Sequence, residues 1–464
     1  MSRLGCAFGR NRGNCAESGR IGNDRGGTRA GGWGDALREA PLPRFLLVYV
    51  LLFAAYGIEG PFLPALLSER GISPEGIGLL LAAGTAARLV SAPIAASMAD
   101  RLGVPRAVLA GAILAAGLIG CGFALAGSFV ALLIVSVLVS MALAPINPLA
   151  DSLASRAAVA SAGPGGGSRR GFDYGLIRGF GSAAFILGAM AAGPLVAGFG
   201  LVSVVWANAG LLLLAGLAVA LLPRPGGALP ALPRPRRPDA EPGAFRTLLA
   251  MPLFRRLLLV TGLVQGSHAL YGAFATLRWM EAGIAPEMIG LLWSVAVASE
   301  VVMFFLLGRP LLARLGPGGL AAVCAAAGVI RWVVMANTAW LPAQFLIQPL
   351  HGFTFAALHL ATMRLLAENV PERLSSTAFG VQASLGPGLA GAVLTLAAGP
   401  LYGQFGAGGF WAMALLCAIA LPASLALAGG GRAGGVLPAA PILAPAAAQA
   451  ASLSGAAWRS SRSR

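Results

Sequence analysis

The residues of this chain that can do chemistry are the few charged and titratable side chains set inside long apolar runs. Arg88 and Glu300 are the clearest. Each is the only charge in its run, and each holds the same place in a repeated stretch. GISPEGIGLLLAAGTAARLV runs from Gly71 to Val90, and GIAPEMIGLLWSVAVASEVV from Gly283 to Val302, 212 positions further on. A charge at mid-bilayer costs about 2.5–3.5 kcal/mol on insertion scales, so such a residue needs a partner, a water path or a task. A guanidinium meets a carboxylate as a two-pronged donor, which assigns Arg88 the anionic group of a solute. An intramembrane carboxyl can relay a proton, which assigns Glu300 to proton coupling. The competing reading is an ion pair or gate between two halves of the molecule that never touches solute.

Glu59 lies in GIEGPFLP, where Gly57, Gly60, Pro61 and Pro64 weaken a helix. An interrupted helix beside an acid suits a solute site. The three histidines, His268, His351 and His359, all fall inside apolar runs, and imidazole titrates where proton coupling needs it. His268 has Gln265 one turn before it and Tyr271 one turn after. His351, Phe355 and His359 share a face by helical spacing. We therefore expect Arg88, Glu59, Gln265, Trp293 and His351 at a solute site, and Glu300, His268 and His359 in proton coupling. The histidines lack an acid or cysteine at ligand spacing, so no metal is expected. Arg331 reads as a residue snorkelling to the outer interface, and Trp279, Trp293, Trp332 and Trp340 as an outer aromatic belt, with Trp293 deep enough to stack on an aromatic solute.

The elements that must hold these residues follow from composition. Hydrophobic residues make up 57% of the 464, and spans 107–150, 179–223 and 374–431 contain no Asp, Glu, Lys or Arg. The mean hydropathy is +0.79. Each charge-free span is long enough for two crossings of about 20 residues, and backbone groups without water must pair within helices. The fold class is all-α and polytopic. Twelve crossings are expected, at about 45–67, 75–98, 105–126, 129–150, 172–198, 200–222, 253–279, 287–308, 317–336, 340–365, 375–401 and 407–430. These form an N-terminal six-helix bundle over 44–222 and a C-terminal one over 253–430. Between them 223–252 is a Pro- and Arg-rich linker, and 1–43 and 431–464 are disordered tails.

All 33 basic residues are arginine, giving a formal net charge of +16. They cluster in the tails and in the loops after even-numbered helices, which places both termini in the cytoplasm and explains the charge without nucleic acid. No nucleophile–base set or phosphate-binding loop is visible, so an enzyme is not expected.

With two sixes, a long central loop and both ends inside, the chain resembles the major facilitator superfamily. The loop after the second helix, SMADRLGVPRAVL, is similar to that superfamily's Asp-Arg-x-Gly signature, carried by Asp100, Arg101 and Gly103. A narrower resemblance rests on PINPLADSLA, DYGLIRGFGSAAFILG, QGSHALYGAF, IGLLWSVAVASEVVMFF and LHGFTFAALHLATM, which occur in order between Pro145 and Met363. These are similar to the phenylpropionic-acid permease group, related to nucleoside:proton symporters and more distantly to lactose permease. The resemblance implies a monomeric inner-membrane permease that takes up a small organic acid with protons and uses no cofactor beyond the proton gradient. A nucleoside or sugar symporter, an efflux antiporter and a non-transporting sensor are the other readings. Asp151, Asp173 and Arg178, at cytoplasmic helix ends, join the signature residues as expected gating or anchoring groups.

Overall fold

The repeated stretch is two copies of one backbone device. Gly71 and Gly283 both stand at φ 77°, a left-handed conformation that suits glycine. The turns close with the same bonds: Gly71 N to Ser68 O and Ile72 N to Leu67 O in the first, Gly283 N to Met280 O and Ile284 N to Trp279 O in the second. Pro74 and Pro286 then start the next helices, with Glu75 and Glu287 in the first turn, where a fixed φ and a negative charge both favour a helix N-terminus.

The computed structural model describes residues 41–162, 172, 174–223 and 243–430. Helix α1 spans Pro41–Glu69 and is interrupted at residues 60–62, directly after Glu59. It starts at Pro41, so 41–43 belong to the helix rather than to a tail. Then follow α2, Pro74–Leu102; α3, Pro105–Leu125; α4, Phe129–Val159; α5, Tyr174–Phe199; and α6, Val202–Leu221. Residues 224–242 of the expected linker lie outside the described residues, as do Asp173, 1–40 and 431–464. The linker's C-terminal end is a short helix, Ala244–Ala250. Helix α7 covers Pro252–Glu281, with a break at Ser267 between two helical pieces. Two further helical stretches, Pro286–Asn337 and Thr377–Leu427, have 52 and 51 residues, about twice a crossing. Each doubles back where a glycine takes positive φ, Gly316 at 67° and Gly406 at 52°. They divide into α8 (286–315) and α9 (317–337), and into α11 (375–405) and α12 (Gly409–Gly430). Between them α10 runs over 341–369 in pieces. Wide π turns interrupt α8 at Met303–Leu307, α10 at Phe353–Ala357 and α11 at Ser384–Leu389.

One end of this bundle carries the charge-poor loops. There the two halves lock together through matched glycines. A Cβ on Gly290 of α8 would lie 2.3 Å from the Ala189 carbonyl of α5, and one on Gly78 of α2 would lie 2.9 Å from Gly399 of α11. Gly78 and Gly290 are the same position of the repeat. Small residues let helix backbones meet where lipid offers no hydrophobic drive to associate. The cores agree with this closure. At the charge-poor end Ile58, Phe62, Leu66, Ile77 and Val196 share one core with Trp279, Ile289 and Leu292 of the other half. Toward the charge-rich end the N-terminal half has its own core around Tyr49, Leu52, Leu109, Ile113 and Leu212.

Trp279 and Trp332 do not form a lipid-facing belt. Both are fully buried and donate indole hydrogen bonds, to Gln344 Oε1 at 3.1 Å and to Ser267 Oγ at 2.8 Å. Trp340, largely exposed, fits the belt expectation.

Candidate functional site

A cavity of about 370 Å³ lies between the halves, walled by α1, α2, α3, α4, α7 and α11. Glu59, Arg88, Gln265 and His268 line it, with the hydroxyl residues Thr85, Ser136, Ser140 and Thr395. Leu63, Leu81, Phe123, Val139 and Leu143 supply apolar wall. The α1 break leaves Glu59 facing this space, and the α7 break at Ser267 starts a new helical piece at His268. Thr85 donates to Leu81 O and Ser136 to Leu80 O, so both hydroxyls turn lone pairs rather than protons to the cavity.

Four expected site residues lie elsewhere. Glu300, His351 and Trp293 do not line the cavity. Glu300 belongs instead to a half-buried network, hydrogen-bonded to His351 Nε2 at 2.7 Å, and no ion pair joins it to Arg88 among the described residues. The register of α8 on α10 sets this contact. Gly352 N donates to Ser299 Oγ at 2.9 Å, and a Cβ on Gly352 would lie 2.6 Å from Ser299 O. The neighbouring pair, Glu300 and His351, is thereby brought together. Trp293 joins an aromatic group, its ring 4.6 Å from Tyr271 and its indole donating to Thr276 Oγ1 at 3.0 Å. His359 does not share the surroundings of His351. It faces Phe304 and lines a separate cavity of about 310 Å³ with Gln265, Thr362, Phe379 and Gln382.

Arg331 departs most from expectation. It does not snorkel to an interface; it is fully buried. One guanidinium nitrogen lies 2.8 Å from His351 Nδ1 and another donates to Gln348 Oε1 at 3.2 Å. The rings of Tyr271 and Trp332 cover it at 4.3 and 4.6 Å. Burial demands partners for a cation, and α7 and α10 supply them.

Donor and acceptor rules fix the imidazole tautomers. Arginine only donates, so His351 Nδ1 accepts, its proton sits on Nε2, and that N–H points at the Glu300 carboxylate. His268 is the reverse. Its Nδ1 faces the carbonyls of Val264 and Gln265, at 3.1 and 3.2 Å, and must donate, leaving Nε2 to accept from Thr354 Oγ1 at 2.9 Å. The rings of His268 and His351 are 5.2 Å apart, so His268 touches both the cavity and the network.

At the charge-rich end of the N-terminal half, Tyr49 donates to Asp151 Oδ1 at 2.6 Å, and Arg178 lies 3.7 Å from the same oxygen and 5.3 Å over the Phe53 ring. Gly103, at φ 66°, ends α2 beside the exposed Arg101. The side chain of Asp100 lies outside the described residues.

A family model described as the MFS_1 like family matches residues 42–413. The chain belongs to that family. This MFS_1-like protein is 33% identical over 387 residues to the probable 3-phenylpropionic acid transporter of Escherichia coli (strain K12), covering 81% of this chain and 94% of that one. It is 29% identical over 394 residues to the maltose permease of Geobacillus stearothermophilus, covering 83% and 93%. Among solved structures it superposes on the nucleoside transporter NupG with a TM-score of 0.73 at 15% identity, over 84% of this chain and 99% of that chain. A bacterial homologue of the human lysosomal transporter Spinster gives a TM-score of 0.65 at 19% identity, over 87% and 99%. The relatives are transporters, not enzymes, and the structural likenesses show a shared multi-pass helical fold.

Within this MFS_1-like chain, sequence reasoning misplaces Arg331 and misses Gln348 and Thr354. A signal for the first was present. Arg331 is the one charge in the run 317–336, the same mark that singles out Arg88, and Gln344, Gln348 and His351 recur at helical spacing opposite it.

Proposed function

We propose that the protein is a secondary active transporter that takes up a small organic acid, of the aryl-alkyl kind, together with protons by alternating access in the inner membrane. The observation that carries this reading is the central cavity, which Arg88 lines together with His268, the residue that reaches the Glu300–His351–Arg331 network. The arginine-rich loops assign the charge-rich end and both termini to the cytoplasm, so the glycine-locked end is the outer one and the cavity faces inward. Arg88 receives the solute carboxylate. His268 can accept a proton on Nε2 if the Thr354 hydroxyl rotates to donate to Leu350 O or His351 O, at 3.4 and 3.2 Å. His351 cannot be protonated on Nδ1 without facing the Arg331 N–H donors, so a proton at this pair belongs on Glu300. Asp151 and Arg178, with Tyr49, are the inner gate of the N-terminal half, and Asp100, Arg101 and Gly103 the loop that hinges it.

A neutral sugar is the second reading, favoured by the maltose permease relative and by the hydroxyl residues of the lining. Exchange in proteoliposomes separates the two. With labelled phenylpropanoate inside and a panel of unlabelled solutes outside, aryl acids are expected to drive counterflow and maltose is not. Labelled maltose that exchanges while labelled phenylpropanoate stays inside against every solute would overturn the acid reading.

A further inference from the structure

The central cavity has two ends of opposite chemistry. Arg88 and Glu59 both line it, and neither forms an ion pair or hydrogen bond with a described side chain. They do not neutralise one another. Counted from the charge-poor ends of their helices, Glu59 is ten residues in from Glu69 and Arg88 fourteen in from Pro74. Arg88 therefore lies the deeper of the two. Gln265, Leu143 and Gly391 surround the deeper level, and Thr85 and Ser136 stand near the level of Glu59. Those two hydroxyls have already donated to backbone carbonyls, so near Glu59 they turn lone pairs to a donor. Leu63, Leu81, Phe123, Val139 and Leu143 supply the apolar lining of the same space.

We propose that the solute is bifunctional. Its carboxylate meets Arg88, and a hydrogen-bond donor at its far end, a hydroxyl or an ammonium, meets Glu59. This rests on the acid-transport reading and narrows it to hydroxylated or amino-bearing aryl acids. A carboxyl oxygen accepts a hydrogen bond, and a solute whose far end is apolar displaces water from Glu59 without replacing those bonds. A site built around such a group discriminates against analogues that lack the donor.

The test is calorimetric titration of the purified full-length protein in detergent with four probes: phenylpropanoate and its para-hydroxy, para-methoxy and para-aminomethyl derivatives. The expected result is that the hydroxy or aminomethyl acid binds about tenfold tighter than the methoxy and unsubstituted acids, the scale of one hydrogen bond to a charged group. Which of the two leads tells hydroxyl from ammonium. In Glu59→Leu the ratio of donor-bearing to methoxy affinity should fall toward one. If that variant does not fold, Glu59→Gln, which keeps volume and an acceptor oxygen but loses the charge, should lose the aminomethyl preference. A ratio near one in the wild type, or a ratio that survives both substitutions, overturns the Glu59 assignment while leaving the acid reading intact, because phenylpropanoate still binds. Failure of all four acids to bind overturns the acid reading and this inference together.

Discussion

Arg331 is the residue on which the buried network depends. It holds His351 in the tautomer that donates to Glu300, and it does so without contact with water. Removing one member of a buried ionic network costs about 3–5 kcal/mol, because the remaining charge is stranded. Arg331→Gln should therefore lower the thermal unfolding temperature of the detergent-solubilised protein, and adding Glu300→Gln should restore part of the loss. Strict additivity of the two substitutions would show that the residues are not coupled. Arg88 has a different task and predicts a different signature. Lysine keeps the charge but not the planar fork, so Arg88→Lys should raise the KM for an aryl acid about tenfold while kcat changes less. An unchanged KM would remove Arg88 from the solute site. Sequence alone singles out Arg88 and Glu300, because one charge in an apolar run is visible in one dimension. Arg331 carries the same mark, but its distance from the helix end favours snorkelling. What buries it is the Tyr271 and Gln348 faces of two other helices, which no local pattern discloses.

At the scale of elements, glycines set the distances that the charges need. Gly352 admits Ser299 of α8 against α10, beside the Glu300–His351 bond. In Gly352→Ala the new methyl should push the helices apart, lengthen that bond and reduce gradient-driven accumulation about tenfold, while solute exchange without a gradient persists. Equal losses in both assays would indicate general damage instead. Gly290 acts at the other end. A Cβ there cannot coexist with the Ala189 carbonyl at 2.3 Å, so Gly290→Ala should open the charge-poor end. In a cysteine-free background carrying Ser140→Cys, an impermeant maleimide applied from that side should label the cavity about tenfold faster, a shift of roughly 1.4 kcal/mol between states. No change in labelling would place the closure elsewhere. The repeated turn is fully legible in sequence, since a left-handed glycine and an N-terminal proline are local demands. The π turns in α8, α10 and α11 are not. They form where helices pack, and one of them lies between His351 and His359, whose spacing would set them on one face of a regular helix.

At the scale of the whole molecule, two half-length bundles share a core at one end and separate toward the other, with the cavity at the seam. Hydropathy and loop charge reveal an all-helical multi-pass chain, because both follow from the bilayer. They do not reveal which end is closed, since that depends on contacts between helices more than a hundred residues apart. The cavity draws its acid, its arginine and its hydroxyls chiefly from one half, and its histidine from the other. A transporter with this division should bind solute on one half and pass the proton through the other, so that neither moves productively alone. The most direct measurement is accumulation of labelled phenylpropanoate or its para-hydroxy derivative in proteoliposomes holding the full chain, with and without an inward proton gradient, for wild type and Glu300→Gln. The account predicts accumulation above equilibrium only with the gradient, accompanied by alkalinisation outside, and its abolition in Glu300→Gln with exchange retained. Uptake that is indifferent to the gradient, or solute driven outward as protons enter, would contradict it.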